Sequence, residues 1–128
     1  MVDEKYLLSS LSEQVIGCAM RVHSTLGNGF PEIIYQRALA IELELCGISF
    51  TRESTQAVYY RDTCIGSRIV DFLVQEKLLI ELKAIAELND SHFSQIINYL
   101  TAFKLEVGLL INFGQKSLQY RRFIKTKA

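Results

Sequence analysis

From Val107 to Phe113 the chain reads Val-Gly-Leu-Leu-Ile-Asn-Phe. An apolar run this short and unbroken is the signature of a strand covered on both faces. A helical pattern precedes it, Asn89 to Lys104, with Phe93, Ile96, Ile97, Leu100 and Phe103 on one face. Before that helix, Leu78 to Ala84 reads as another strand. Strand, helix and strand in that order imply a right-handed parallel crossover, with the helix lying over the sheet. Gly114 closes the buried run, and Leu118 to Ile124 fits a last edge strand.

The first half of the chain supplies the other layer. Leu11, Val15, Ala19, Val22 and Leu26 recur at helical steps, with Ser12 as the expected N-cap, Gly27 as the stop, and Asn28-Gly29 as a turn. A second helix is expected from Pro31, whose fixed φ suits a first helical position. Its expected apolar stripe is Ile34, Ala38, Ile41 and Leu45, ended by Gly47. Ile48 to Arg52, Ala57 to Arg61 and Arg68 to Gln75 then read as strands, with turns at Asp62-Thr63 and Ile65-Gly66-Ser67. Gln75-Glu76-Lys77 reads as a tight hairpin. The sum is an α/β fold, a mixed central sheet flanked by helices, in one domain spanning 1–128.

Composition narrows the function. The chain has 128 residues, 49% of them hydrophobic and 22% charged, which excludes a disordered chain. Lys+Arg and Asp+Glu are 14 each, so no basic coat blankets the surface, although a local patch remains open. No apolar run approaches the roughly 18 residues that cross a bilayer, so no membrane association is expected. Met1 to Lys5 lacks the basic start of a signal peptide. Cys18, Cys46 and Cys64 form no Cys-x-x-Cys pair, and free thiols in a reducing cytoplasm are expected.

The chemistry concentrates in Asp71-Phe72-Leu73-Val74 and Leu79-Ile80-Glu81-Leu82-Lys83. Alternate residues of a strand share a face, so Glu81 and Lys83 point together. A hairpin centred on Glu76 sets Asp71 opposite Glu81. Two facing carboxylates repel, and a divalent cation offsets that cost. Asp71, Glu81 and the Leu82 carbonyl would offer hard oxygen donors, with water completing a magnesium-like shell. Lys83 would hold or deprotonate an attacking water, or neutralise phosphate charge. A turn centred between Gln75 and Glu76 would instead pair Asp71 with Ile80 and separate the carboxylates. Surface ion pairs with Lys83 would then explain the same residues.

Two further clusters stand beside this one. Glu32 and Tyr35 share a helix face, with Glu32 in the first turn, where the helix dipole favours a negative charge. His92, Gln95 and Tyr99 form a polar stripe on the third helix, from which Gln95 could hold a water or a phosphate; a solvated helix face accounts for the stripe equally well. His23 and His92 lack partners at ligand spacing and read as structural or surface residues. No Gly-x-Ser-x-Gly elbow and no Gly-rich phosphate loop is present. Arg121, Arg122, Lys125 and Lys127 make a basic end that could touch a phosphate backbone.

Gly29-Phe30-Pro31-Glu32-Ile33-Ile34-Tyr35 resembles the naming motif of the GxxExxY protein family. The resemblance continues through Val22–Gly29, Ala38–Leu43, Asp71–Val74, Ile80–Ala84, Gln95–Leu100 and Gly108–Gly114. That family is grouped with the PD-(D/E)xK nucleases. The resemblance therefore implies a restriction-endonuclease-like αβββαβ core and one nuclease-like domain. Asp71, Glu81 and Lys83 match the superfamily's central motif, Glu32 its preceding helical carboxylate, and Gln95 and Tyr99 the Gln and Tyr of the RecB-like branch. Val70 stands where that motif often has Pro.

The resemblance implies a metal-dependent nuclease hydrolysing phosphodiester bonds, with DNA as the expected nucleic acid. Mg²⁺ or Mn²⁺ is the expected cofactor, held by Asp71 and Glu81. Glu32, Asp71, Glu81, Lys83 and Gln95 are the expected catalytic set, and Tyr35 and Tyr99 the substrate-binding residues. A chain this small is expected to embrace a duplex as a homodimer or with a partner protein. The alternative is a non-catalytic binding or assembly module that reuses the fold.

Overall fold

The computed structural model describes residues 8–125. The expected signal-peptide-free start and the basic end at Lys127 lie outside them. The order is α1 (Ser9–Leu26), α2 (Glu32–Leu45), β1 (Phe50–Tyr60), β2 (Thr63–Val74), β3 (Leu78–Lys83), α3 (Asp90–Phe103), β4 (Val107–Asn112) and β5 (Gln119–Ile124). The sheet runs β1-β2-β3-β4-β5. Its β3–β4 pair is parallel and its other pairs are antiparallel. The crossover read from the buried run is therefore present, and β4 is buried at every position.

The sheet is the middle layer. Val15, Cys18 and Val22 of α1, and Tyr35, Leu39 and Leu43 of α2, pack with Phe72, Val74, Ile80, Leu82, Leu109 and Ile111 on one face. Ile96, Tyr99 and Leu100 of α3 pack with Val70, Leu79 and Leu110 on the other. Each buried side chain of this size contributes roughly 1.5–3 kcal/mol through removal from water. Gly114 is obligatory at the end of β4, because an added Cβ would overlap the backbone of Ile85. That close approach holds the loop after β3, beside which Phe113 N–H donates to Lys83 O at 2.8 Å.

Several local expectations require correction. Ser12 is not the cap of α1; it lies a turn inside, buried, and its hydroxyl donates to Leu8 O at 2.8 Å, while Leu8 occupies the cap position. Pro31 is the N-cap of α2 rather than its first residue. The α2 stripe is rotated from the expected one: Tyr35, Gln36, Leu39, Ala40 and Leu43 are buried, whereas Ile41 and Leu45 are exposed. Apolar residues occur nearly all round this helix, so periodicity could not select the face. The expected strands Ile48–Arg52 and Ala57–Arg61 are one strand, β1. The expected turn at Ile65-Gly66-Ser67 is strand, and the chain reverses between Tyr60 and Thr63. The result is a long β1–β2 hairpin arm, with every residue from Thr63 to Ile69 exposed.

Wide spacing also concealed a thiol pair. Cys18 and Cys46 are free, yet their sulfurs lie 3.7 Å apart, with Arg21 Nη2 at 3.3 and 3.1 Å from them.

Candidate active site

The β2–β3 hairpin sets the geometry. Gln75 and Glu76 both adopt positive φ, as a type I′ turn requires, and Lys77 N–H donates to Val74 O. The pairs Val74–Leu78, Leu73–Leu79 and Phe72–Ile80 follow. This is the register that brings Asp71 to Glu81. The ladder stops there, and side chains take over from the backbone. Asp71 N–H donates to Glu81 Oε1 at 3.0 Å, and Leu82 N–H donates to Asp71 Oδ2 at 2.8 Å.

Asp71 marks a break in the pleat of β2. Phe72 and Val74 belong to the core under α1 and α2, whereas Val70 belongs to the core under α3. Strict alternation would have kept all three on one face. The irregularity extends to β1, where Glu53 occupies the place opposite Asp71 between the pairs Arg52–Phe72 and Ser54–Val70, with φ 51°. With the ladder interrupted on both sides, the aspartate's side chain is held by Gln36 and by Leu82 N–H.

Both helical layers reach this break. From α2, Gln36 Nε2 donates to Asp71 Oδ1 at 2.7 Å, and Arg52 Nη2 donates to Gln36 Oε1 at 2.9 Å. From α3, Gln95 Oε1 accepts from Lys83 Nζ at 3.0 Å. Glu32, in the exposed first turn of α2, feels both Asp71 and Lys83. Tyr99 is 8% exposed and lies in the field of Glu81 and Asp71. Gln95 and Tyr99 also line a cavity of about 1130 Å³ between α3 and the hairpin arm.

The carboxylates are held in an electrostatically costly state. Burial, then the charge of Asp71, pushes Glu81 up to about 8, against the lowering effects of the Asp71 N–H and of Lys83. Asp71 is raised by burial, opposed by its bonds from Leu82 and Gln36 and by Lys83. Glu32 is raised by partial burial of its carboxyl and by Asp71. Tyr99 is raised first by burial and then by Glu81. Neighbouring acids held above their ordinary range beside a lysine are what a functional site produces.

The donor chemistry fits a hard divalent cation. Among the described residues, no set of three or more His, Cys, Asp or Glu side chains is arranged to hold a metal. A cation here would take Asp71 and Glu81 and fill its remaining positions from carbonyl oxygen and water, the preference of magnesium. It would also neutralise the repulsion that raises Glu81.

Residues 9–123 match the description PD-(D/E)XK nuclease superfamily. The chain belongs to that superfamily. As a PD-(D/E)XK chain it shares its fold with solved structures at low identity. The crystal structure of SSO0001 aligns with TM-score 0.59 and 18% identity, over 97% of this chain and 61% of that one. An alkaline exonuclease from Laribacter hongkongensis aligns with TM-score 0.50 and 12% identity, over 90% of this chain and 82% of that one. This chain thus spans about 61% of the length of SSO0001. No curated protein sequence matches it. No helix among the described residues is long and apolar enough to cross a membrane.

The expected residues do not all sit alike. Asp71, Glu81, Lys83, Gln95 and Glu32 share one electrostatic neighbourhood. Tyr35 is 0% exposed, stacks on Phe113 at 4.6 Å, donates to Gly27 O at 2.7 Å and accepts from Phe30 N–H at 3.2 Å. Its ring and hydroxyl therefore hold the loop that leads into Glu32. His92 belongs to the capping box of α3, and His23 binds Gln115 O at 2.8 Å, so both are structural. Arg121 stacks over Phe93 at 4.4 Å. Sequence reading missed Gln36 and Glu53. Gln36 had a signal: it follows Glu32 by four residues, one turn along the same helix face. Glu53 had none, because its place opposite Asp71 follows from a strand that the sequence divided in two.

Proposed function

We propose that the protein is a metal-dependent nuclease of the GxxExxY type that hydrolyses phosphodiester bonds in nucleic acid, with DNA as the substrate. The reading is carried by one observation: Asp71 and Glu81 meet where the β2–β3 ladder opens, beside Lys83, with Glu81 pushed up to about 8. Asp71 and Glu81 would hold Mg²⁺ or Mn²⁺, and Glu32 would add negative charge beside them from α2 without being a third ligand. When bound, that ion supplies Lewis-acid polarisation of the phosphoryl oxygen and lowers the pKa of water.

The chain's own residues do the rest. Gln36 and Leu82 N–H fix the two oxygens of Asp71, so its carboxylate is oriented before substrate arrives. Gln95 holds the Lys83 ammonium. Lys83 would orient the attacking water and balance charge growing on the phosphate. Tyr99 walls the pocket on the α3 side, and Tyr35 fixes the loop before Glu32.

The test is Mn²⁺-dependent cleavage of single- and double-stranded DNA and RNA, with Glu81→Ala and Lys83→Ala as controls and Mn²⁺ uptake followed by calorimetry. Metal uptake with cleavage lost in both variants supports the reading. Equal cleavage by all three proteins, or no uptake and no cleavage, sinks it. Failure of both assays together with recovery of a stable protein complex would support the assembly module instead.

A further inference from the structure

We propose that the groove between the β1–β2 arm and α3 is a binding track for single-stranded polynucleotide, leading the strand to Asp71 and Glu81. The inference rests on the nuclease reading and assigns that site its substrate form.

Four observations converge on this groove. Its volume, about 1130 Å³, exceeds the usual range of roughly 300–1,000 Å³ for small-molecule pockets. Arg61 and Arg68 from the arm and Lys104 from α3 line it, against one acid, Asp62. In a chain of formal net charge +0, that is a local concentration of positive charge. Its inner end is formed by Gln95 and Tyr99, which already belong to the carboxylate site, so the track and the chemistry are continuous.

The fourth observation distinguishes one strand from two. Tyr59 lines the groove with its side chain 62% exposed, and Tyr99 lies deeper along it. An exposed ring flanked by cations suits unpaired bases, which offer a π-face that duplex bases keep stacked. The polar lining between them, Ser94 and Asn98, gives hydrogen-bonding groups for sugar and phosphate. From the arm, Gln56 to Tyr59 and Arg68 form the outer wall of the track.

The test measures binding by fluorescence anisotropy in EDTA, using labelled oligothymidylate, oligouridylate and a DNA duplex of equal length. The single strand is expected to bind about tenfold or more tightly than the duplex, since only unpaired bases can stack on Tyr59. The combined variant Arg61→Ala/Arg68→Ala/Lys104→Ala should weaken single-strand binding by about tenfold or more and flatten the log–log salt slope by about 2, at roughly 0.7 per phosphate contact. Tyr59→Ala should weaken binding about fivefold or more with the salt slope unchanged, because stacking contributes about 1–3 kcal/mol per base. The two single-strand arms decide between DNA and RNA.

None of these variants should alter Mn²⁺-dependent hydrolysis of bis(p-nitrophenyl) phosphate, an ester too small to use the track. Wild-type single-strand affinity in the combined variant, or duplex affinity equal to that for the single strand, overturns the track and leaves the nuclease reading standing. Loss of ester hydrolysis and of Mn²⁺ uptake in the wild-type protein, with the predicted strand binding intact, overturns the nuclease reading instead.

Discussion

Asn112 and Glu81 lie on adjacent strands, near the same end of the sheet, at 0% and 7% exposure. Asn112 is fully satisfied. Its Oδ1 accepts from Ile85 N–H and Gly114 N–H, each at 3.0 Å, and its Nδ2 donates to Ile85 O at 3.0 Å and Gln119 Oε1 at 3.1 Å. All four capacities of an amide are used. Glu81 accepts from Asp71 N–H and feels Lys83, yet burial and the charges of Asp71 and Glu32 oppose its ionised form. A satisfied buried polar group stabilises one structure. A buried acid held against like charge is stability given up, and it locates the place where a ligand restores the balance. Similar burial therefore carries opposite meanings on neighbouring strands.

Breaking the second member of this pair should have the larger effect on activity. Asp71→Asn or Glu81→Gln should lower Mn²⁺-dependent cleavage by about 10³-fold or more, a loss of several kcal/mol in charge stabilisation by the metal. The fold should persist by circular dichroism. Cleavage within tenfold of wild type would remove these residues from the site.

Breaking the first member should act on stability. Asn112→Ala leaves the Ile85 and Gly114 backbone groups unpaired and should cost about 3 kcal/mol in urea denaturation, at about 1–3 kcal/mol per orphaned group. A variant as stable as wild type would show that the network is dispensable.

The pH dependence sharpens the contrast. In the folded protein Glu81 is pushed up to about 8, from its ordinary value of 4.5, so its neutral form is the one the fold prefers. Its contribution is greatest below pH 4.5 and is lost as pH rises toward 8. Metal-free protein should lose on the order of a few kcal/mol of stability from this group between pH 5 and pH 8. In Glu81→Gln that fall should largely vanish, leaving the metal-free variant more stable than wild type at pH 8. Parallel pH profiles for the two proteins would refute the assignment. Mn²⁺ affinity should rise over the same interval, because binding requires the ionised acid.

The smallest expected change belongs to Gln36. Gln36→Ala should reduce cleavage about tenfold, near 1.4 kcal/mol, by releasing one oxygen of Asp71. Gln36→Glu should reduce it further, since another acid would then face the pair in direct contact with Asp71. Rescue by Glu would contradict a positioning role.

Much of this was legible in the residues. The apolar run of β4 and the α3 pattern placed the crossover, because each rests on short-range periodicity, and one of the two readings of the Gln75-Glu76-Lys77 turn brought Asp71 to Glu81, the one the structure adopts. The face of α2 was not legible, since its apolar residues encircle it. The arm was not legible either. Gly66 and Ser67 read as turn residues, yet cross-strand pairing with Val58 and Ala57 keeps them in β2. Tyr99 likewise reads as a margin residue until β2 and β3 close over it.

The sequence by itself determined the order of the helices and buried strands and the identity of the acids and lysine, because these depend on neighbours only a few residues apart. Tertiary structure decided which of the two hairpin registers forms, that the pleat breaks at Asp71, that Gln36 reaches it from α2 while Arg52 of β1 holds Gln36, and that the arm and α3 enclose a basic groove. Those facts depend on side chains distant along the chain meeting at hydrogen-bond range, where burial raises the cost of every unbalanced charge.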